Sequence, residues 1–162
     1  AKAMKELRVH GQEKRYYHTR IGINGRMDTL QAAILLSKLE IFPEEVELRK
    51  KWGQLYKEML GSSYKTQALL PNSTSVYAQF TIEVDDRENF IKRMTEFGVP
   101  TAVHYPIPLH LQPVYQNLGL KKGSFPLAEN AGERVVSLPM HPYLDEASIE
   151  KVVTTVKKCI DG

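Results

Sequence analysis

The sequence predicts an α/β (α+β) protein in which a long helical connector precedes a small domain built from a sheet and helices. Apolar residues recur at helical spacing across residues 28–61, and they alternate with polar residues across residues 76–84. From Tyr64 onward, strand and helix patterns alternate along the chain, which favours a sheet with helices on one face. We therefore divide the chain into residues 1–27, 28–61 and 62–162.

The composition is that of an ordinary globular protein. The 162 residues include 22 Lys and Arg against 19 Asp and Glu, with 42% hydrophobic residues, which excludes a disordered chain. No apolar run approaches the length of a membrane span, so no membrane association is expected. The single cysteine, Cys159, excludes an internal disulfide and a multi-cysteine zinc site, and it favours a reducing, cytoplasmic setting. Its place beside the inner stripe of the last helix indicates a packed thiol.

Positive charge is concentrated at the start of the chain. Residues 1–26 carry seven basic and two acidic side chains, which suits a phosphate or carboxylate partner, although a solvated helix face plus a loop is the favoured explanation. Nucleic-acid binding is not expected, because the excess is small and only one aromatic pair, Tyr16 and Tyr17, lies within it. Residues 1–8 lack the apolar core of a signal peptide. They indicate the end of an amphipathic helix, and we expect the chain to be a piece of a longer protein.

Two successive helices are predicted in the connector. Asp28 can cap the first, with Gln31 at the spacing of a capping box. This helix is apolar around much of its circumference, so both sides are expected to be covered. Pro43 lacks an N–H and clashes with the preceding turn, so it is expected to end or kink the helix near Phe42. A second helix then runs to Gly61.

The remaining elements alternate between strand and helix. Residues 76–84 predict a strand, residues 101–104 a short strand candidate, residues 125–134 a helix and residues 135–138 a further strand. Asp85 or Asp86 is predicted to cap a helix that Gly98 ends, and Asp145 to cap the last helix. The residues predicted to face inward from these elements are Ala78, Phe80, Ile82, Val84, Phe90, Ile91, Met94, Phe97, Ile149, Val152, Val153, Val156 and Ile160.

Residues 16–28 are the first of two segments that look functional. Gly22 and Gly25 allow close approach of a ligand directly before a helix. Asn24 can donate to phosphate oxygens, and Arg26 offers a planar fork suited to carboxylate or phosphate. A glycine-rich turn with a helix cap explains the same residues equally well.

Residues 103–113 are the second such segment. Three prolines stiffen a loop that displays His104, Tyr105 and His110 from the end of a strand, and rigid loops on a scaffold are common binding elements. A structural crossover with partly buried rings is the alternative. The chain contains no phosphate-binding glycine motif and no nucleophile elbow, and its five histidines lack metal-ligand spacing, so no metal site is expected.

In this order and spacing, these segments resemble the sugar aminotransferases of the DegT/DnrJ/EryC1/StrS family, fold type I enzymes that use pyridoxal 5′-phosphate. The resemblance implies an aspartate-aminotransferase-like fold, of which this chain is the C-terminal part. Residues 1–27 would be the tail of a large-domain helix and the cofactor and substrate loop, and residues 28–61 the interdomain and dimer helices. The matching stretches are residues 10–12, 24–33, 103–106, 109–113 and 137–142.

The resemblance also implies individual roles. Asn24 matches the asparagine that reaches across the dimer to the cofactor phosphate of the neighbouring subunit, and Arg26 lies where the same loop faces the partner's sugar. His104 and Tyr105 match the loop that lines the sugar pocket in the family. By its position in the same loop, the resemblance also implies a substrate-binding role for His110. The Schiff-base lysine of the family lies upstream. We therefore assign no catalytic residue, and this chain alone is expected to be inactive.

The implied activity is transfer of an amino group from glutamate to a nucleotide-linked ketosugar by a homodimer with shared active sites, for surface polysaccharide or amino-sugar biosynthesis. The loop at residues 105–110 is more similar to enzymes acting on 3-ketosugars, including 3-keto uronic acids, than to the 4-keto group. A catalytically silent or regulatory family member stays open, as does a dehydratase that uses the same cofactor. So does a stand-alone α/β binding module, although the apolar helix at residues 28–42 argues against it.

Overall fold

The computed structural model describes all 162 residues and divides into two units, residues 1–43 and residues 44–162. The strands are β1 Gln12–Lys14, β2 Tyr17–His18, β3 Phe80–Glu83 and β4 Val135–Leu138. The helices are α1 Lys2–Leu7, α2 Thr29–Leu60, α3 Arg87–Glu96, α4 Pro126–Arg134 and α5 Glu146–Asp161, with short 3-10 helices at Leu109–Leu111 and Pro113–Leu118. The predicted mixture of helix and sheet is confirmed. None of the helices combines the length and apolar character needed to cross a bilayer.

In the first unit, backbone hydrogen bonds hold the loop at residues 22–25 against the end of α1. The Ile23 N–H donates to the Leu7 carbonyl at 2.8 Å, and the His10 N–H donates to the Ile23 carbonyl at 2.9 Å. A Cβ added at Gly22 would lie 2.2 Å from the backbone nitrogen of Gly11, so this close approach requires glycine. Strands β1 and β2 form an antiparallel pair beside this contact.

Helix α2 runs without interruption through Pro43, so the predicted end of the helix near Phe42 is wrong, whereas the kink named as the alternative stays a prediction. A proline removes one intrahelical hydrogen bond, and good helix formers on both sides keep the remaining turns in place. The apolar residues of α2 before Pro43 are exposed. The sequence predicted that other residues would pack on both sides of this part of the helix, and no residue of this chain does so. These exposed residues are Leu30, Ile34, Leu35, Leu36, Leu39, Ile41 and Phe42.

The second unit packs its helices around the antiparallel pair β3 and β4. The register joins Phe80 to Leu138 and Glu83 to Val135, and single bridges add Thr66 beside Ile82 and Ala102 beside Ser137. The core draws on both strands and on α2, α3 and α5. Its most deeply buried side chains are Tyr56, Phe80, Ile82, Met94, Val136, Ile149, Val153 and Val156.

The helix caps predicted from the sequence at Asp86, Asp145 and Gly98 are present in the structure. The Asp86 side chain accepts from the Asn89 N–H at 3.1 Å, and that of Asp145 accepts from the Ser148 N–H at 2.7 Å. Gly98 adopts a left-handed conformation directly after α3, as a C-terminal glycine does.

Several predicted positions differ from the structure. Tyr77 adopts a φ of +43° and is buried, so the alternation predicted from residue 76 begins only at Phe80, and Ala78 is exposed. Phe97 and Ile160 are exposed because each lies at the last turn of its helix, beyond the packed face. The strand candidate at residues 101–104 is reduced to the bridge at Ala102.

Candidate functional site

Asn24 and Arg26 form a pair in the loop before α2. Arg26 Nε donates to Asn24 Oδ1 at 3.2 Å, and both residues border a recess of about 360 Å³ together with residues 27–29. This bond uses one of the two lone pairs of the Asn24 amide oxygen, whereas the amide NH2 and the remaining guanidinium N–H groups make no hydrogen bond within the chain. The pair therefore presents mainly hydrogen-bond donors to solvent, which suits an anionic oxygen.

The position of this pair is set by the backbone. Asn24 forms a β-bridge with Val9, and the Gly25 N–H donates to the Arg8 carbonyl at 2.7 Å. The neighbouring carboxylate of Asp28 is engaged by the Gln31 N–H at 2.8 Å, which confirms Asp28 as the cap of α2. The loop thus presents its donors from a backbone held by hydrogen bonds, and the Asp28 carboxylate in the same recess is engaged at the start of the helix.

His104, Tyr105 and His110 border one cavity of about 690 Å³ in the second unit. His104 Nδ1 lies 3.3 Å from Ser137 Oγ, which in turn lies 3.1 Å from Thr81 Oγ1 across the strand pair. The Tyr105 side chain is 78% exposed and projects freely. Apolar side chains form most of the remaining wall, among them Ile107, Leu109, Phe125, Ala128, Ala131 and Val135.

His110 is buried and its imidazole is engaged by a carboxylate. His110 Nε2 lies 2.8 Å from Glu129 Oε1, and Phe125 packs edge-on against the imidazole with ring centroids 4.9 Å apart. Glu129 also accepts the N–H of Gly123 at 2.8 Å and that of Phe125 at 3.2 Å. The Gly123 N–H above all, then the Phe125 N–H and His110, hold the pKa of the Glu129 carboxyl below its usual value, against the opposing effect of burial.

The structure therefore gathers the predicted site residues into two groups. Asn24 and Arg26 pair in the first unit, whereas His104, Tyr105 and His110 share a cavity in the second. Sequence reasoning missed Glu129 and Ser137. The signal for Ser137 was a polar residue inside the apolar run of β4. The signal for Glu129 was a carboxylate near the start of α4, where the first backbone N–H groups of the helix have no helical partners.

Comparison with known proteins decides the family. The sequence profile of the DegT/DnrJ/EryC1/StrS aminotransferase family matches residues 1–157. The chain belongs to this family. It is 49% identical over 151 residues to the UDP-2-acetamido-2-deoxy-3-oxo-D-glucuronate aminotransferase of Pseudomonas aeruginosa, in an alignment that covers 93% of this chain and 41% of that relative.

Solved structures of the family agree with this assignment. A DegT DnrJ EryC1 StrS aminotransferase from Brucella abortus has a TM-score of 0.87 at 36% identity, over 96% of this chain and 42% of that chain. NtdA from Bacillus subtilis, with bound cofactor PMP, has a TM-score of 0.84 at 26% identity, over 97% of this chain and 38% of that chain. The pyridoxal phosphate cofactor predicted for the family is confirmed for its members. The chain spans less than half the length of these relatives.

Proposed function

We propose that this chain is the C-terminal part of a pyridoxal phosphate-dependent aminotransferase that moves an amino group from glutamate to a nucleotide-linked 3-ketosugar. The observation that carries the proposal is the donor-rich Asn24–Arg26 pair in a chain of this family. A 3-keto uronic acid is the favoured sugar, in line with the name of the Pseudomonas aeruginosa relative. When bound, the cofactor supplies the electron sink for moving the amine.

Asn24 serves the cofactor phosphate in this proposal. Its free amide NH2 donates to a phosphate oxygen of the cofactor held by the neighbouring subunit, while Arg26 keeps the amide in the required orientation. The remaining N–H groups of Arg26 face the sugar nucleotide, whose diphosphate and uronate carboxylate match a planar guanidinium fork. Both residues thus bind and orient anions without taking part in bond making.

The loop with His104 and Tyr105 lines the sugar pocket. Ser137 keeps the His104 imidazole in place, and the exposed Tyr105 offers a hydroxyl to the sugar. The apolar wall of the adjoining cavity excludes water from this side of the pocket. Orientation of the keto group is the contribution that we assign to these residues.

A homodimer with shared sites follows from the same assignment. The exposed apolar residues of α2 ahead of Pro43 are the surface that we assign to the dimer contact in the complete protein. The buried, unpaired thiol of Cys159 agrees with a reducing, cytoplasmic setting.

Replacing Asn24 in the complete protein tests the proposal. Asn24→Ala should weaken cofactor retention by about 10- to 100-fold, the loss expected for a hydrogen bond to a charged group. Equilibrium dialysis followed by absorbance measures this retention, and the exposed Asn72→Ala provides a matched control. Unchanged retention contradicts the role of Asn24. Absence of amine transfer from glutamate to a UDP-linked 3-oxo uronate by the wild-type protein contradicts the proposed activity and favours the regulatory alternative.

A further inference from the structure

We propose that Glu129 and His110 are positioning residues that hold the sugar-facing loop, residues 104–111, against α4, and that His110 does not contact the sugar. This inference deepens the proposed function and rests on it, because the assignment of the loop to the sugar comes from there. It replaces the substrate-binding role that the resemblance implies for His110.

The carboxylate of Glu129 is the centre of the anchor. Its Oε1 accepts from Gly123 N–H at 2.9 Å, from Phe125 N–H at 3.2 Å and from His110 Nε2 at 2.8 Å. Its Oε2 accepts from the same Gly123 N–H at 2.8 Å. A carboxylate only 8% exposed is costly to bury unless donors surround it. Glu129 therefore ties the end of the sugar-facing loop and the turn before α4 to one side chain.

The imidazole Nε2 of His110 faces the protein interior. Its side chain is buried, its Nε2 is occupied by Glu129, and Phe125 covers it edge-on. Tyr105, on the other side of the two loop prolines, is 78% exposed. Within the loop, Tyr105 therefore projects outward, whereas His110 anchors the loop.

The rest of the loop is held by two further contacts. At its start, Ser137 and Ala102 exchange backbone hydrogen bonds of 2.7 and 3.1 Å, and Ser137 Oγ lies 3.3 Å from the His104 imidazole. In the middle, a Cβ added at Gly132 of α4 would lie 3.2 Å from the Pro106 carbonyl oxygen. The Glu129–His110 pair supplies the anchor at the C-terminal end of the loop.

Kinetics of the complete protein test the anchor. Glu129→Gln keeps the side-chain volume but removes the negative charge and replaces one acceptor oxygen by an NH2 group that the Gly123 N–H cannot bond. The value of kcat/KM for the ketosugar should therefore fall by about 10- to 100-fold, the cost of a displacement of roughly 1 Å. Cofactor retention should stay unchanged. Glu133→Gln is the matched control, because it lies on the same helix and pairs with Lys122 at 3.5 Å on the surface. Equal kinetics for Glu129→Gln and the control overturn the proposal.

Variants of His110 separate positioning from substrate binding. Glutamine can still donate an N–H to Glu129, so His110→Gln should stay within about threefold of wild-type kcat/KM, whereas His110→Ala should lose about 10- to 100-fold. The double variant His110→Ala with Glu129→Gln should be no worse than either single variant, as expected for residues that act through one contact. A sugar-binding His110 gives the opposite pattern, in which glutamine is as damaging as alanine and the two losses add.

Hydrogen exchange in the complete protein tests the anchor without catalysis. Amides of residues 104–112 and 120–126 should exchange about tenfold faster in Glu129→Gln than in Glu133→Gln, because local opening no longer breaks the carboxylate contacts. If Glu129→Gln does not fold, His110→Ala and His110→Gln replace it, with faster exchange expected only for alanine. Unchanged exchange overturns the anchor. A wild-type protein that transfers no amine overturns the proposed function instead, and the exchange result still decides the anchor.

Discussion

Replacing Gly53 by alanine is expected to destabilise the chain, although glycine within a helix is usually the less stable of the two residues. Gly53 lies on the buried face of α2. A Cβ added there would lie 2.1 Å from Cδ2 and 2.3 Å from Cε2 of Tyr77. Carbon atoms in contact prefer about 3.5–4.0 Å, so the new methyl group overlaps the ring.

The Tyr77 ring has little freedom to move away. Its side chain is 5% exposed and its centroid lies 5.6 Å from that of Phe80. Its N–H donates to Ser75 Oγ at 3.0 Å, and its carbonyl accepts from Arg49 at 3.3 Å. Alanine gains about 0.5–1 kcal/mol from helix propensity, whereas overpacking costs about 1–3 kcal/mol. We expect a net loss of up to about 2.5 kcal/mol in the free energy of unfolding.

Urea unfolding measures this loss. The single tryptophan, Trp52, reports on the core because its indole N–H donates to the Pro142 carbonyl at 2.9 Å, and far-UV circular dichroism gives a second probe. In a Tyr77→Ala background the same Gly53→Ala change should be neutral or stabilising, since the ring is gone. A higher unfolding midpoint for Gly53→Ala alone, or the same cost in both backgrounds, would refute the steric reasoning.

Three further predictions use the same chain. Phe80→Ala should cost about 3–5 kcal/mol in urea unfolding, because Phe80 is fully buried and stacks on Tyr56 at 4.8 Å. Hydrogen bonds from backbone N–H groups, that of Gly123 above all, hold the pKa of the Glu129 carboxyl below its ordinary value. Its contribution to stability is therefore present near neutral pH and lost as the pH falls through that lowered pKa. The unfolding midpoint of the wild type should therefore fall more steeply than that of Glu129→Gln as the pH drops below the ordinary pKa of a glutamate carboxyl. Burial raises the pKa of the Cys159 thiol, so a disulfide reagent should modify it slowly in the folded chain and quickly in urea.

Each of these three predictions has a contrary outcome. A cost below about 1 kcal/mol at Phe80 would mean that the core closes around the missing ring. Parallel pH curves for the wild type and Glu129→Gln would show that the carboxylate is not held by its donors. Rapid labelling of the native Cys159 thiol would place it at the surface.

Local chemistry made much of the fold predictable. Asp86 and Asp145 cap their helices, and Gly61 and Gly98 follow the ends of theirs in a left-handed conformation, because each of these roles depends on one residue and its immediate neighbours. The strand at Val135–Leu138 was predictable from its composition for the same reason.

The predictions that failed concern residues whose environment depends on packing between distant parts of the chain. Pro43 lies within a helix because the turns on both sides outweigh one missing hydrogen bond. Tyr77 is buried because its ring fits over Gly53, a contact between positions 24 residues apart. In the candidate site, the sequence identified the loop but not Glu129, whose partners come together only once α4 has folded beside it.

Under the proposed function, the separation between anchoring and projecting groups in residues 104–111 has a consequence for how the preference for the sugar could change. Ser137, Gly132 and Glu129 hold the loop from outside it, while Tyr105 and Ile107 are 78% and 50% exposed and carry none of these hydrogen bonds. Mutations at the two projecting positions can therefore accumulate at little thermodynamic cost. Redesign of this scaffold for a different carbohydrate would begin with those two side chains and leave the framework beneath them intact.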